Sequence, residues 1–198
     1  MGGEHFPINK IKVYCEKKKN FTHLSHSDWD HINGLKKWTK TCLINRPWAK
    51  ENSKNERLIN KVKTCLDKPQ IHRQIEILNH PYQFSKFKKN NLNESSQVVY
   101  LKKWNILIPG DSTKIAEYDW SKNKNIENTN LLILGHHGSQ TSTSNLLLEK
   151  AKNLKNAVVS ARFKKYGHPH QVVIDRLKMY KVNILTTEKF GNLIFQLN

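Results

Sequence analysis

Apolar and polar positions alternate along this chain in two periods, and the change from one to the other predicts most of its elements. Ile8, Ile11, Tyr14 and Cys15 recur at helical spacing among Lys10, Lys12 and the Lys17-Lys18-Lys19 run, which predicts an amphipathic helix over about 8–18. Phe21 to Ser25 then reads as a strand, followed by a helix from about His31 to Lys40 and a short strand around Cys42 to Asn45. Ala49 to Leu66 predicts a long charged helix closed by Asp67-Lys68-Pro69, and Gln74 to Leu78 a strand. Val98 to Leu101 and Asn105 to Ile108 predict a hairpin around Lys102-Lys103-Trp104, and Lys114 to Trp120 a short helix. Leu131 to Leu134 is an almost purely apolar run, the pattern of a strand buried on both faces. A helix from about Ser144 to Leu154, a strand from Ala157 to Ser160 and a helix from His170 to Tyr180 follow. Asn183 to Thr187 is then expected to pair with Leu193 to Leu197 across Lys189-Phe190-Gly191. The alternation predicts a layered α/β domain whose functional residues gather at strand ends.

Composition narrows the class. At 198 residues the chain suits one domain, 1–198, with a sizeable core. Its mean hydropathy of -0.71 and the lack of a long apolar run give no membrane segment. Met1-Gly2-Gly3-Glu4-His5-Phe6-Pro7 has neither the basic start nor the apolar core of a signal peptide. From the chain itself the expectation is a soluble, cytoplasmic protein. The formal charge of +18 predicts a phosphate polymer as partner, through counterion release. A Lys- and Asn-rich codon bias would account for that charge equally well. Cys15, Cys42 and Cys65 are odd in number and lack C-x-x-C spacing, which predicts reduced, partly buried thiols. The stretch from His80 to Asn93 sets Lys86, Lys88 and Lys89 among Tyr82, Phe84 and Phe87, as a phosphate-and-base contact surface would; aromatic anchors to the core are the plainer reading.

The densest chemistry is His26-Ser27-Asp28-Trp29-Asp30-His31, with four potential metal ligands in six residues. On a strand, His26, Asp28 and Asp30 share one side while Trp29 points away, and His31 joins them as a helix begins. Imidazole and carboxylate together suit divalent transition metals, and four such groups can serve two ions held close together. The plain alternative is a polar turn with Asp30 as helix N-cap. Asp111 ends the run Ile106-Leu107-Ile108-Pro109-Gly110, and His136 and His137 end the next strand. Ser139, Thr141, Ser142 and Ser144 run from there toward a helix start, where they can donate hydrogen bonds to phosphate oxygens. His168, in Tyr166-Gly167-His168-Pro169, is a candidate leaving-group acid or phosphate ligand. His170 and Arg162 are further phosphate-contact candidates.

His26-x-Asp28-x-Asp30-His31, Pro109-Gly110-Asp111, Gly135-His136-His137-Gly138-Ser139 and Gly167-His168-Pro169-His170 occur in an order that resembles one metallo-β-lactamase-like family, the C-terminal hydrolase domain of ComEC-type DNA-uptake proteins. The resemblance implies an αββα sandwich, with the family's opening strands and Asp-x-Gly turn falling before Met1. It implies two divalent ions, manganese or zinc, with magnesium as an alternative. His26 and Asp28 would hold one ion, Asp30 and His31 the other, with Asp111 bridging and His136 completing the second; His137 would lie behind it or touch phosphate. Asp30 is carried as a catalytic carboxylate as well. The superfamily also supplies a His to the first ion, and His72 and His80 are the candidates. Where Asp28 stands, that superfamily at large has His, so the first site would be oxygen-rich and would favour manganese or magnesium over zinc.

The expected function is a metal-dependent phosphodiesterase, a DNA nuclease of DNA uptake that uses a metal-activated water. Its partners would be DNA, a membrane-embedded uptake channel and the missing N-terminal segment, and the resemblance implies the extracytoplasmic face of the inner membrane. Two rivals are a basic DNA-binding remnant of such a domain, weak or inactive, and a metallo-hydrolase of small esters or lactams. The second of these leaves the charge unexplained.

Overall fold

In the computed structural model of the chain, residues 7–38, 40–45, 54–65, 73–79 and 93–196 are described. They fall into two compact units, one within Met1–Ile71 and the other within His72–Asn198. His72, His80 and the Lys- and aromatic-rich stretch 80–92 lie outside the described residues.

In the first unit, helix α1 (Ile8–Cys15) forms where the periodicity predicts it, yet it buries none of its residues. Strands β1 (Phe21–Thr22) and β2 (Cys42–Leu43) pair in parallel. Beyond Thr22 the Asn45 side chain takes over the pairing: its amide accepts from Leu24 N–H (2.8 Å) and donates to Leu24 C=O (2.5 Å). The expected helix from His31 to Lys40 is instead a single α-turn, α2 (Trp29–Ile32), running into a 3-10 segment at Asn33–Lys36. Of the long charged helix, α3 (Lys54–Asn60) is described. Leu24, Ile32, Leu35, Leu43, Ile59 and Val62 form this unit's core. The expectation of reduced thiols is corrected for two of the three cysteines: Cys42 and Cys65 form a disulfide, Cα–Cα 5.5 Å, beside the Leu43–Thr64 bridge. Cys15 is free. The crosslink closes a sequence separation of 23, worth about 3 kcal/mol by loop entropy.

The second unit is built on a six-stranded sheet in the order β3 (Ile75–Ile77), β4 (Val99–Leu101), β5 (Ile106–Ile108), β6 (Leu131–Ile133), β7 (Asn156–Val159), β8 (Asn183–Thr186). The first three strands are antiparallel neighbours and the last four run parallel. The β4–β5 hairpin turns on Asn105, whose left-handed backbone (φ 53°) is tolerated by Asn. Parallel pairing demands crossovers. Helices α4 (Lys114–Trp120), α5 (Asn145–Lys150) and α7 (Gln171–Met179) lie in those three connections, with α6 (Phe163–Tyr166) ahead of α7. Leu107, Leu132, Ala157 and Val159 pack with Trp120, Leu147, Val173 and Leu177 in the main core. A second, smaller cluster joins Ile106, Leu131 and Val158 to Trp104, Leu185 and Leu193. Apolar contact on both faces explains why β6 reads as an unbroken apolar run.

The predicted C-terminal hairpin is not formed. Strand β8 pairs in parallel with β7, and Thr187–Phe190 forms a helical turn, α8, capped by Thr186 Oγ1, which accepts from Lys189 N–H at 3.2 Å. Residues 193–196 carry no strand, though Leu193 packs on the sheet. The structure is therefore mixed α/β, with a six-stranded sheet carrying the larger core. Among the described residues no helix is long and apolar enough to cross a membrane.

Candidate functional site

The first motif does not sit on a strand. Strand β1 ends at Thr22, and Asp28, in extended conformation, is the N-cap residue of α2, with His31 N–H donating to its carbonyl at 2.9 Å. Asp30 and His31 therefore occupy the helical turn itself, and Asp30 is not the cap. The turn nevertheless brings the histidines together: the His26 and His31 ring centroids are 4.2 Å apart. Ser25 organises them. Its Oγ lies 3.0 Å from Nδ1 of each ring, so its single proton goes to one and it accepts from the other. Both rings are thereby turned with Nε2 toward carboxylates, His26 3.5 Å from Asp28 Oδ2 and His31 3.6 Å from Asp30 Oδ2. His26 is buried, while the two carboxylates are roughly half open to solvent. Ser25 was no candidate from sequence, because a serine beside a histidine has no distinctive spacing.

His23, just upstream, has both ring nitrogens buried without a hydrogen-bond partner. Burial pushes its pKa down to about 4, so the folded chain holds it neutral at pH 7. The unfolded chain takes up this proton near pH 6.5, so stability is full above that pH and is lost as pH falls toward 4. Between pH 7 and pH 4.5 the unfolding free energy should fall by about 2 kcal/mol more in the wild type than in His23→Phe, measured by chemical denaturation at the two pH values. An equal pH response in both proteins would refute this.

In the second unit the site residues stand at the carboxyl ends of parallel strands, the usual place for ligands in open α/β sheets. After β5, Gly110 turns with φ 59°, a conformation natural to glycine, and its carbonyl accepts from His136 N–H at 2.9 Å. Asp111 follows, buried, with its N–H donating to Ser96 Oγ at 2.9 Å. After β6, His136 (φ 46°) and His137 (φ 55°) are both left-handed. Non-glycine residues hold such angles at a cost of about 1–3 kcal/mol each, and such strain clusters at functional sites. The extended chain assumed from sequence would have sent the two rings apart; the left-handed pair instead gives each a separate anchor. His136 Nδ1 lies 3.1 Å from Thr141 Oγ1, and its Nε2 3.5 Å from Asn93 Nδ2. His137 Nδ1 donates to the Ser160 carbonyl at 3.0 Å, which leaves its Nε2 3.8 Å from Asp111 Oδ1. Among the two histidines it is thus His137 that faces Asp111, whereas the resemblance assigns the ligand role to His136.

The hydroxyl cluster divides by role. Ser142 Oγ, fully buried, donates to the Gly135 and Ser139 carbonyls, and Ser144 caps α5 by accepting from Leu147 N–H at 3.2 Å. These two hold the turn. Ser139 and Thr141, linked at 3.0 Å, lie next to His136. Beneath the turn the Glu117 carboxylate, buried in α4, accepts from Thr143 and Ser144 N–H at 2.5 and 2.7 Å. From α7, Arg176 donates to the Ser142 and Thr143 carbonyls at 3.3 and 3.1 Å. Thr143 itself has φ 53°. Burial pushes the Glu117 carboxyl up, against the downward pull of these hydrogen bonds and of Lys114. Neither Glu117 nor Arg176 carries a sequence signal.

His168 approaches His136 with ring centroids 6.4 Å apart. Gly138 makes room: a Cβ there would meet Pro169 at 2.8 Å, and its carbonyl accepts from His170 N–H at 2.9 Å. Burial, reinforced by His136 and His137, lowers the His168 pKa. His170 is the N-cap of α7, its Nδ1 accepting from Val172 N–H at 3.3 Å.

Two ligands held about 2.0–2.2 Å from one divalent ion lie roughly 3–3.5 Å from each other. The His26–Asp28, His31–Asp30 and His137–Asp111 separations of 3.5, 3.6 and 3.8 Å are longer than charge-assisted hydrogen bonds and close to that ligand spacing. In each pair the other ring nitrogen is fixed by a hydroxyl or a carbonyl, as metal-binding histidines require. The residues fit divalent ions.

No family model matches the chain. It is 30% identical to ComE operon protein 3 of Bacillus subtilis, over 52% of this chain and 14% of that protein. It is 29% identical to Recombination protein 2 of Haemophilus influenzae, over 85% of this chain and 21% of that protein. With Competence protein ComA of Neisseria gonorrhoeae the identity is 35%, over 46% of this chain and 14% of that protein. The chain thus spans between 14% and 21% of the length of these curated relatives. Its similarity is thus to segments of proteins named for competence and recombination.

Proposed function

We propose that this chain is a metal-dependent phosphodiesterase that cuts DNA during uptake, with the metallo-β-lactamase-like αββα architecture its motif order resembles. The observation that carries the reading is the set of three histidine–carboxylate pairs at ligand spacing, each with its second ring nitrogen anchored. The order of the motifs along the chain assigns both constellations to one reaction. His26, Asp28, Asp30 and His31, with Asp111 and the His136–His137 pair, would hold two divalent ions, manganese, magnesium or zinc. Such ions supply a water of lowered pKa and charge to stabilise an in-line displacement at phosphorus. Asp30, on its helical turn, accepts and orients protons at the attacking side; Ser139 and Thr141 donate to non-bridging phosphate oxygens; His168 donates to the phosphate. Oxygen donors at Asp28 and Asp30 favour manganese or magnesium over zinc.

The charge of +18 also supports a second reading, a basic DNA-binding remnant without turnover. Metal analysis and a nuclease assay on single- and double-stranded DNA separate the two. The expected result is about two bound divalent ions per chain and cleavage that stops on chelation. Binding to DNA with no metal taken up and no cleavage, for this chain and for a longer one extended at its N-terminus, would leave only the second reading.

A further inference from the structure

The chain leaves the histidine pair at Ser160, whose carbonyl holds His137, and returns to it at His168, beside His136. The excursion between them carries α6, and every residue from Arg162 to Gly167 on it is exposed. Two of these are aromatic, Phe163 (54% exposed) and Tyr166 (50%). They alternate with Arg162, Lys164 and Lys165, and the sequence from Ser160 to His170 contains no carboxylate. Helix α8 adjoins this segment, since Phe163 N–H donates to Glu188 Oε2 at 3.0 Å. It adds Lys189 and a third open ring, Phe190 (52%). Lys165 and Lys189 lie 5.2 Å from the Tyr166 and Phe190 ring centroids, so cation and ring form mixed units.

Isolated exposed aromatics need no explanation, but rings interleaved with cations on one short element are the composition of a stacking platform for unpaired bases.

We infer that α6 and α8 form a single-strand platform, on which unstacked bases of DNA lie against Phe163, Tyr166 and Phe190 while Lys164 and Lys165 neutralise the backbone, feeding the strand past His168. This rests on the proposed function and specifies its substrate as single-stranded. A duplex hides its base faces and gains only the lysines. The test is binding of the full chain, with metal chelated, to a labelled single strand and to the duplex of the same sequence. The wild type should prefer the single strand. Replacing Phe163, Tyr166 and Phe190 by Ala should weaken single-strand binding by about 100-fold or more, at about 5-fold or more per ring, with less than about 3-fold change on duplex. Phe163→Trp and Phe190→Trp should retain it. Equal single-strand affinity in the wild type and the Ala variant overturns the inference, as does an equal loss on both substrates. If the wild type cuts DNA while the Ala variant keeps its single-strand affinity, only the platform fails; a wild type that binds no DNA sinks the proposed function with it.

Discussion

Asp111→Ala should abolish metal-dependent cleavage, lowering the rate by more than about 100-fold, because even the outer partners of metal ligands contribute about 10- to 100-fold. The carboxylate is buried at the end of β5, its backbone N–H is fixed by Ser96, and Gly110 tethers the turn to His136. A side chain so held is preorganised. The histidine pair provides a sharper comparison. His137 Nε2 faces Asp111 at 3.8 Å with Nδ1 locked on Ser160, whereas His136 is engaged by Thr141 and Asn93. His137→Ala should therefore lose at least as much bound metal as His136→Ala, measured by metal analysis at fixed free manganese. Full metal content in His137→Ala, with loss in His136→Ala, would restore the assignment implied by the motif order.

What was legible in the sequence follows the range of the forces involved. The β4–β5 hairpin and α4 are set by local periodicity and a short turn, and both form where the pattern puts them. Leu131 to Leu134 announced a doubly covered strand because both of its faces are apolar, and it delivers the histidine pair at its end. The C-terminal hairpin failed for a nonlocal reason: β8 finds its partner in β7, and the Thr186 cap closes a helical turn where Lys189-Phe190-Gly191 read as a hairpin loop. The Cys42–Cys65 bond was equally hidden, since its partners have no signature spacing and meet through the Leu43–Thr64 bridge. Within the candidate site, the residue types were readable and their orientation was not. Ser25, Ser160 and Thr141 turn the rings through hydrogen bonds that no spacing rule encodes.

Glu117→Ala should destabilise the chain by about 3–5 kcal/mol, the largest stability effect expected from a single polar side chain here. A charged α4 residue reads from sequence as solvent-facing, but this carboxylate is fully buried and binds Thr143 and Ser144 N–H. Its removal leaves two buried donors without an acceptor, at about 1–3 kcal/mol each, and opens a cavity. It also strands the left-handed Thr143, whose neighbouring carbonyls Arg176 continues to pull from the other side. Glu117→Gln keeps the shape and one strong acceptor, and should cost about 1–2 kcal/mol. Chemical denaturation of the full chain measures both. The consequence for the site follows along the turn: Thr143 and Ser144 hold the segment that presents Thr141 to His136 Nδ1. In Glu117→Gln, which stays folded, metal affinity should fall by about 10-fold, as outer partners of ligating histidines do when disturbed. A Gln variant with lowered stability and unchanged metal affinity would confine Glu117 to the fold and uncouple the turn from the histidine it supports.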